Sequence, residues 1–339
     1  EGENKVFKAQ IGMMQGEEFV AFAQALNSPQ ISASPLSIEQ EIIEPADGQI
    51  SLGQIAGYKL KYRNTTDVAI GPVVVTLKID SRAVDLGSLN VASGFFSSSE
   101  NTIIWNSSSL PKLASLAAGA EGELTFSLRI KEKLPIVNSA DKNFTINTLA
   151  QIDSPNVPLA LTGTSLMGKS QLTAKIDSRL VLSMKGYYND RLLPNSGPQP
   201  PRVGQETTYT IYWQLLNISN DLTDVTIEAY LSPYMRWKGN VYLKNEEINY
   251  EEATGKVTWK IGRLAAGTGL LLPVKQVAFQ VGFIPSLGQV GDVAVIVKAP
   301  QASGQDGFTE KNISVSVPEL KSDMPSDSTV GFENGRVQN

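Results

Sequence analysis

The 339 residues carry 29 Lys and Arg against 34 Asp and Glu, with no Cys and no His. With no basic run, nothing offers the electrostatic footprint of a phosphate-backbone reader, so no nucleic acid is expected as a partner. Lack of Cys and His removes thiolate nucleophiles, Ser-His-Asp and Cys-His arrangements, His-bearing metal sites and the usual neutral-pH general base, and no apolar run is long enough to span a bilayer.

Length alone predicts two or three domains, each able to bury its own core. The apolar periodicity is dominantly two from the start, the mark of half-buried antiparallel strands. The opening EGENKVFKAQIGMMQGEEFVAFAQALNSPQ falls into register with the segment from Ala120 to Asn156. Phe7 pairs with Phe126, Ile11 with Ile130, Phe19 with Phe144, Ala23-Gln24 with Ala150-Gln151 and Ser28-Pro29 with Ser154-Pro155. Residues 1–33 therefore read as the last two strands of a truncated upstream copy. A lone hairpin is marginal in water, so this one is expected to fray, dock on the first full copy or pair with another chain.

Next come Tyr58, Leu60 and Tyr62, alternating with Lys59, Lys61 and Arg63. This Tyr-led segment, GYKLKYRNTTDVAIGPVVVTLKI from Gly57, has a counterpart in TYTIYWQLLNISNDLTDVTIEAYL from Thr208, each preceded by Gly-Gln (Gly53-Gln54, Gly204-Gln205). Downstream, Trp105 matches Trp259, Leu116-Ala-Ala-Gly119 matches Leu264-Ala-Ala-Gly267, and Phe126 matches Phe279. The chain is thus expected to hold two copies of one all-β unit, tandem immunoglobulin-like antiparallel β-sandwiches: repeat A over 34–162, a linker over 163–173 and repeat B over 174–317.

Inside the linker, Gly163-Thr-Ser-Leu-Met-Gly168-Lys169-Ser170 satisfies the phosphate-loop spacing. That chemistry needs a strand before the loop and a helix after it; the β-branched residues that follow favour a turn leading to a strand. A long Pro-rich loop, LLPNSGPQPPRVGQ (192–205), opens repeat B. Asn217, Ser219, Asn220, Asp221 and Asp224 then gather oxygen ligands in one loop, with Asn217, Asp221 and Asp224 the candidate calcium set, although the spacing fits no EF-hand and such residues also make turns.

The segment SPYMRWKGNVYLKNEEINY places Tyr234, Trp237, Tyr242 and Tyr250 together. They are candidate ligand-binding residues, able to stack on sugar rings or a partner surface, or else to fill the sandwich edge. Glu246-Glu247 and Glu251-Glu252 are paired carboxylates of the kind glycosidases use, but read as solvated loop charge. Asn-x-Ser/Thr sites at Asn64, Asn106, Asn143, Asn217 and Asn312 mark candidate exposed loops. A Lys-Asn isopeptide staple is conceivable in a chain without disulfides, though no pair stands out. The tail 318–339 is polar and turn-rich and is expected to be flexible.

The succession of Tyr-led strand, Asn turn, Val-rich strand, Trp strand, L-A-A-G turn and closing strands resembles the immunoglobulin-like repeat called domain of unknown function eleven. That repeat occurs in tandem in bacterial and archaeal surface proteins, and the likeness covers roughly Ser34 to Val317 in two copies. The chain as a whole looks like the C-terminal part of predicted surface proteins of uncultivated ultra-small bacteria. It departs from the family in the Pro-rich loop and in Ile218-Ser219 after Asn217, where the family favours Thr-Gly. The resemblance implies an extracellular, non-catalytic structural or spacer module with no catalytic residues, no cofactor and neighbouring repeats of the same longer chain as its partners. The alternative is an adhesion or carbohydrate-binding module that uses residues 234–250 to meet other surface proteins or envelope polysaccharide.

Overall fold

The computed structural model describes residues 7–16, 18–27 and 34–339. In the first unit the strands are β3 (Leu36–Glu44), β4 (Ile55–Asn64), β5 (Val74–Asp80), β6 (Val84–Val91), β7 (Phe95–Ser97), β8 (Thr102–Trp105), β9 (Glu121–Ile130), β10 (Thr145–Asp153) and β11 (Gly168–Lys175). The alternation read in the sequence becomes a burial pattern: along β4, Tyr58, Leu60 and Tyr62 face inward while Lys61 and Arg63 face solvent. Antiparallel pairing joins these strands into two sheets, in the orders β3-β4-β9-β6 and β11-β10-β5-β8-β7. One continuous core lies between them, drawing Tyr58, Leu60 and Phe126 from one sheet and Val75, Leu77, Trp105 and Ile146 from the other. Tyr58 stacks on Phe126, with ring centroids 4.8 Å apart. The buried Trp105 indole donates to the Ala92 carbonyl at 2.9 Å, and burying each large apolar side chain of this kind contributes about 1.5–3 kcal/mol.

The second unit comprises β12 (Leu180–Tyr187), β13 (Thr207–Asn217), β14 (Leu222–Tyr230), β15 (Met235–Tyr242), β16 (Glu247–Glu251), β17 (Lys256–Leu264), β18 (Lys275–Phe283), β19 (Val295–Val297), β20 (Gln301–Asp306), β21 (Asn312–Ser316) and β22 (Leu320–Lys321). Its main sheets run β12-β13-β18-β15 and β16-β17-β14-β20-β21, strand for strand the topology of the first unit. The fold is therefore all-β, with tandem immunoglobulin-like antiparallel sandwiches. The register refines the internal match. Tyr58 lies opposite Phe126 on β9, whereas Ile211, not Tyr209, lies opposite Phe279 on β18. Phe279 takes its aromatic neighbour from Trp213 instead, at 5.0 Å.

Two expectations change. The stretch read as a linker is largely the strand β11, which pairs with β10 from Thr145↔Lys175 to Ile152↔Gly168. Gly168-Lys169-Ser170 thus opens a strand and not a helix, and no row of helix N-terminal amides exists there to cradle phosphate. The tail is not loose. Leu320, Met324, Val330 and Val337 are buried in the second core, and Gln338 N–H donates to the Pro201 carbonyl while Val203 N–H donates to that of Gln338. The Pro-rich loop and the tail thereby hold each other, which explains why this sandwich carries both. As the sequence predicts, β1 (Phe7–Gln15) and β2 (Glu18–Asn27) pair with each other as a hairpin. Their counterparts by sequence, β9 and β10, sit in opposite sheets. Ile11, Met13, Met14, Phe22 and Leu26 remain more than half exposed, so those side chains are not docked on the sandwich. Ser28-Pro29 lie outside the described residues.

The two sandwiches meet at a built joint. The connector is held to the first sandwich, whose core buries both Ile50 and Ile176: the two form a parallel bridge and Asp177 N–H donates to the Ile50 carbonyl at 2.8 Å, while across the joint Asn143 N–H donates to the Ser219 carbonyl at 3.0 Å. Arg179 donates to the Leu52 carbonyl at 2.8 Å and pairs with Glu132 at 3.1 Å. Lys142 pairs with Asp221 at 3.2 Å, and Ile218 of the second unit packs against the first core.

Candidate functional site

The aromatic segment occupies the β15–β16 edge of the second sandwich and splits into two environments. Trp237 is half-buried. It lies 5.1 Å from Phe279 of its own sheet and stacks at 5.5 Å, with planes 12° apart, on Tyr250 of the opposite sheet, so the stack closes the sandwich edge. A bulge in the pairing between Trp237 and Val241 places Tyr242 opposite Ala278, which lies opposite Tyr212 in turn. Tyr212, Ala278 and Tyr242 therefore form one row across the outer face of the sheet, with two rings flanking a small residue. Tyr242 and Tyr234 are exposed, at 36% and 48%, but Tyr234 sits in the turn before β15 and outside that row.

Sequence reading missed Tyr212 and the residues that support it. Its hydroxyl donates to Asp190 at 2.8 Å, and its ring meets Tyr187 edge-on at 5.6 Å. Burial first, then the neighbouring Asp190 carboxylate, push the Tyr212 phenol well above its ordinary range; it stays a neutral donor. The missed signal was the alternation of β13, which turns Tyr212 outward while Ile211 and Trp213 point into the core. A shallow recess lined by Leu193, Asn240, Lys244 and Glu246 lies along the same edge.

The calcium candidates do not form a ligand set. The buried Asn217 amide donates to the carbonyls of Asn220, Leu264 and Ala265 at 2.7–3.1 Å, and its oxygen accepts from the Ser178 hydroxyl at 2.7 Å. Asp221 accepts from Ala266 N–H, Arg263 and Lys142; the Ala266 amide first, with both cations, holds its carboxyl below the ordinary range. Asp224 instead lines a groove with Ser303, Gln305 and Asn312. Among the described residues no group of three or more Asp, Glu, His or Cys converges as a metal cluster.

Glu246 is not free loop charge. It accepts from the Trp259 indole at 3.0 Å and from Lys275 at 2.6 Å, tying the edge hairpin to the core Trp. Glu251 accepts from the Thr254 hydroxyl and Glu247 pairs with Lys260, so neither Glu pair offers an acid and base facing a common cleft. Of the Asn-x-Ser/Thr sites, Asn143 and Asn312 are exposed and Asn106 is half-buried, but Asn64 and Asn217 are fully buried, which corrects their reading as exposed loops.

Neither a family model nor a curated protein matches the chain. Among solved structures, the C-terminal domain of the Streptococcus pyogenes antigen I/II-family protein AspA is 12% identical with a TM-score of 0.33, over 84% of this chain and 99% of that one. The C-terminal domain of the Streptococcus agalactiae antigen I/II polypeptide BspA is 9% identical with a TM-score of 0.30, over 83% and 98%. The bacterial hydrophobin BslA is 16% identical with a TM-score of 0.25, over 41% and 92%. Likenesses this distant carry no argument about activity.

Proposed function

We propose that the chain is a non-catalytic structural spacer of a cell-surface, stalk or envelope-layer protein, built from tandem immunoglobulin-like repeats of the domain-of-unknown-function-eleven type. The observation that carries this reading is the joint. A backbone bond from Asn143 to Ser219, the Arg179 bond to the Leu52 carbonyl, two ion pairs and the packing of Ile218 against the first core fix one sandwich on the other, as a rigid rod requires and a flexible tether does not. No helix of the described residues is long and apolar enough to cross a membrane. Small-angle scattering tests it: a single rigid form fitting both domains is expected, and a broad distribution of interdomain orientations would refute it.

The second reading, an adhesion or carbohydrate-binding module, is supported by the Tyr212-Ala278-Tyr242 row. Because Trp237 is occupied by Phe279 and Tyr250, sugar stacking would fall to Tyr242 and Tyr212. Binding of any envelope polysaccharide that Tyr242→Ala removes would favour it over the spacer reading.

A further inference from the structure

The connector Lys175-Ile176-Asp177-Ser178-Arg179 repeats Lys78-Ile79-Asp80-Ser81-Arg82. In the first copy the Asp is exposed, whereas Asp177 is only 2% exposed because the second sandwich covers it. Around it the fold gathers buried oxygens, four of which lack a hydrogen-bonding partner. Asp177 Oδ2, Asn220 Oδ1, Ser219 Oγ and Thr309 Oγ1 are all buried and have no hydrogen-bonding partner; Asn220 and Ser219 are completely inaccessible. These groups are neighbours. The Asn220 amide nitrogen donates to the Ile176 carbonyl, one residue before Asp177, at 2.9 Å and to Asp306 at 2.7 Å. Thr309 N–H donates to Asp306 at 3.1 Å, and the Thr309 and Gln49 side chains lie close enough to Asp177 to favour its ionised form, though neither reaches Oδ2.

Charge makes the arrangement stranger. Asp306 is fully buried but saturated, with Ser178 N–H, Asn220, Phe308 N–H and Thr309 N–H as four donors. Asp177 has only the Thr309 and Gln49 side chains, which favour its ionised form, and its Oδ2 has no partner. Lys311 acts on it through space but is itself exposed, and burial raises the Asp177 carboxyl above its ordinary range. An unpaired carboxylate in the interior is costly unless a counter-charge is supplied. A set of hard oxygens with one ionisable carboxylate is the donor chemistry of calcium, which takes six to eight oxygen ligands and completes its shell with water.

We propose that Asp177, Ser219, Asn220 and Thr309 hold a divalent cation of the calcium class, which clamps the exit of the first sandwich to the loops of the second. The site differs from the Asn217, Asp221 and Asp224 set, whose side-chain groups are already engaged or turned elsewhere, and it does not depend on what the array is used for. The test is a calorimetric titration of the full chain with calcium chloride after chelation, alongside thermal unfolding. One binding event per chain is expected, with a midpoint that climbs as calcium is added, as selective binding to the folded state requires. Asp177→Asn should abolish both responses, and Thr309→Val, a milder change that keeps the fold, should weaken the binding severalfold. Absence of heat and of a midpoint shift in the wild-type chain at millimolar calcium would overturn the proposal. So would a calcium response that neither variant alters.

Discussion

Asn64 and Asn217 occupy the same position in their two sandwiches, each at the end of the second strand with its amide turned into the L-A-A-G turn. Asn64 donates to the carbonyls of Val68, Leu116 and Ala117 at 2.8–3.0 Å. Asn217 donates to Asn220, Leu264 and Ala265 in the same way. Gly119 and Gly267, with φ of +69° and +76°, turn the chain at the end of that motif in a conformation glycine adopts without strain. Replacing either Asn by Ala strands buried carbonyls, so each change should cost about 1–3 kcal/mol in urea unfolding. The two losses should add in the double variant, the sites being in separate cores. Because both side chains are buried, mapping of a glycosylated preparation should find Asn64 and Asn217 unmodified.

The tail acts as a part of the second core. Met324 is fully buried against it, so Met324→Ala should destabilise that domain by about 2–5 kcal/mol. Domain-resolved unfolding, followed by hydrogen exchange, should show the loss in residues 180–317 and leave residues 34–175 unchanged. Equal loss in both halves would contradict this.

Acid should loosen the same end. Burial on its own would raise the Asp327 carboxyl, but the Thr329 hydroxyl and the amides of Asn189, Thr329 and Tyr188 outweigh it and hold the group below its ordinary range. A carboxyl lowered in the folded state contributes stability that is complete above its unfolded value, about pH 3.9, and that disappears as pH falls towards the folded value. The stability difference between wild type and Asp327→Asn should therefore shrink from pH 5 to pH 2. A difference that is constant over that range would exclude the ionised carboxylate as the anchor.

Trp237→Ala and Tyr242→Ala should separate packing from recognition. Trp237 bridges the sheets, so its loss should lower the unfolding midpoint of the second sandwich. The outward Tyr242 should leave stability within about 0.5 kcal/mol. Thermal melts of the two variants side by side decide it.

Architecture was legible where alternation was strong. The inward Tyr58, Leu60 and Tyr62 and the repeated Trp105 and Trp259 announced two sandwiches because a half-buried strand writes its two faces into every second residue. Register was less legible: Tyr209 resembles Tyr58 by eye, yet the buried Asn at the strand end sets the pairing, and it selects Ile211. The candidate site was legible in composition but not in geometry. Tyr212 and Tyr242 are thirty residues apart and meet only because β13 and β15 both flank β18. The polar tail hid its role because the apolar residues that matter, Met324, Val330 and Val337, are spaced too widely to show a period.

The bridge between Ile50 and Ile176, which holds the connector to the first sandwich, has an analogue in the second, where Arg202 bridges Gln338, also in parallel. Both bridges lie just before a Gly-Gln pair whose glycine donates its amide back to the closing strand or the turn after it, Gly53 to Ile130 and Gly204 to Pro285. The tail thus occupies in the second sandwich the position that the connector at Ile176 occupies in the first. Connector and tail play one role in two places, each laying a backbone segment beside the Gly-Gln turn of its own sandwich.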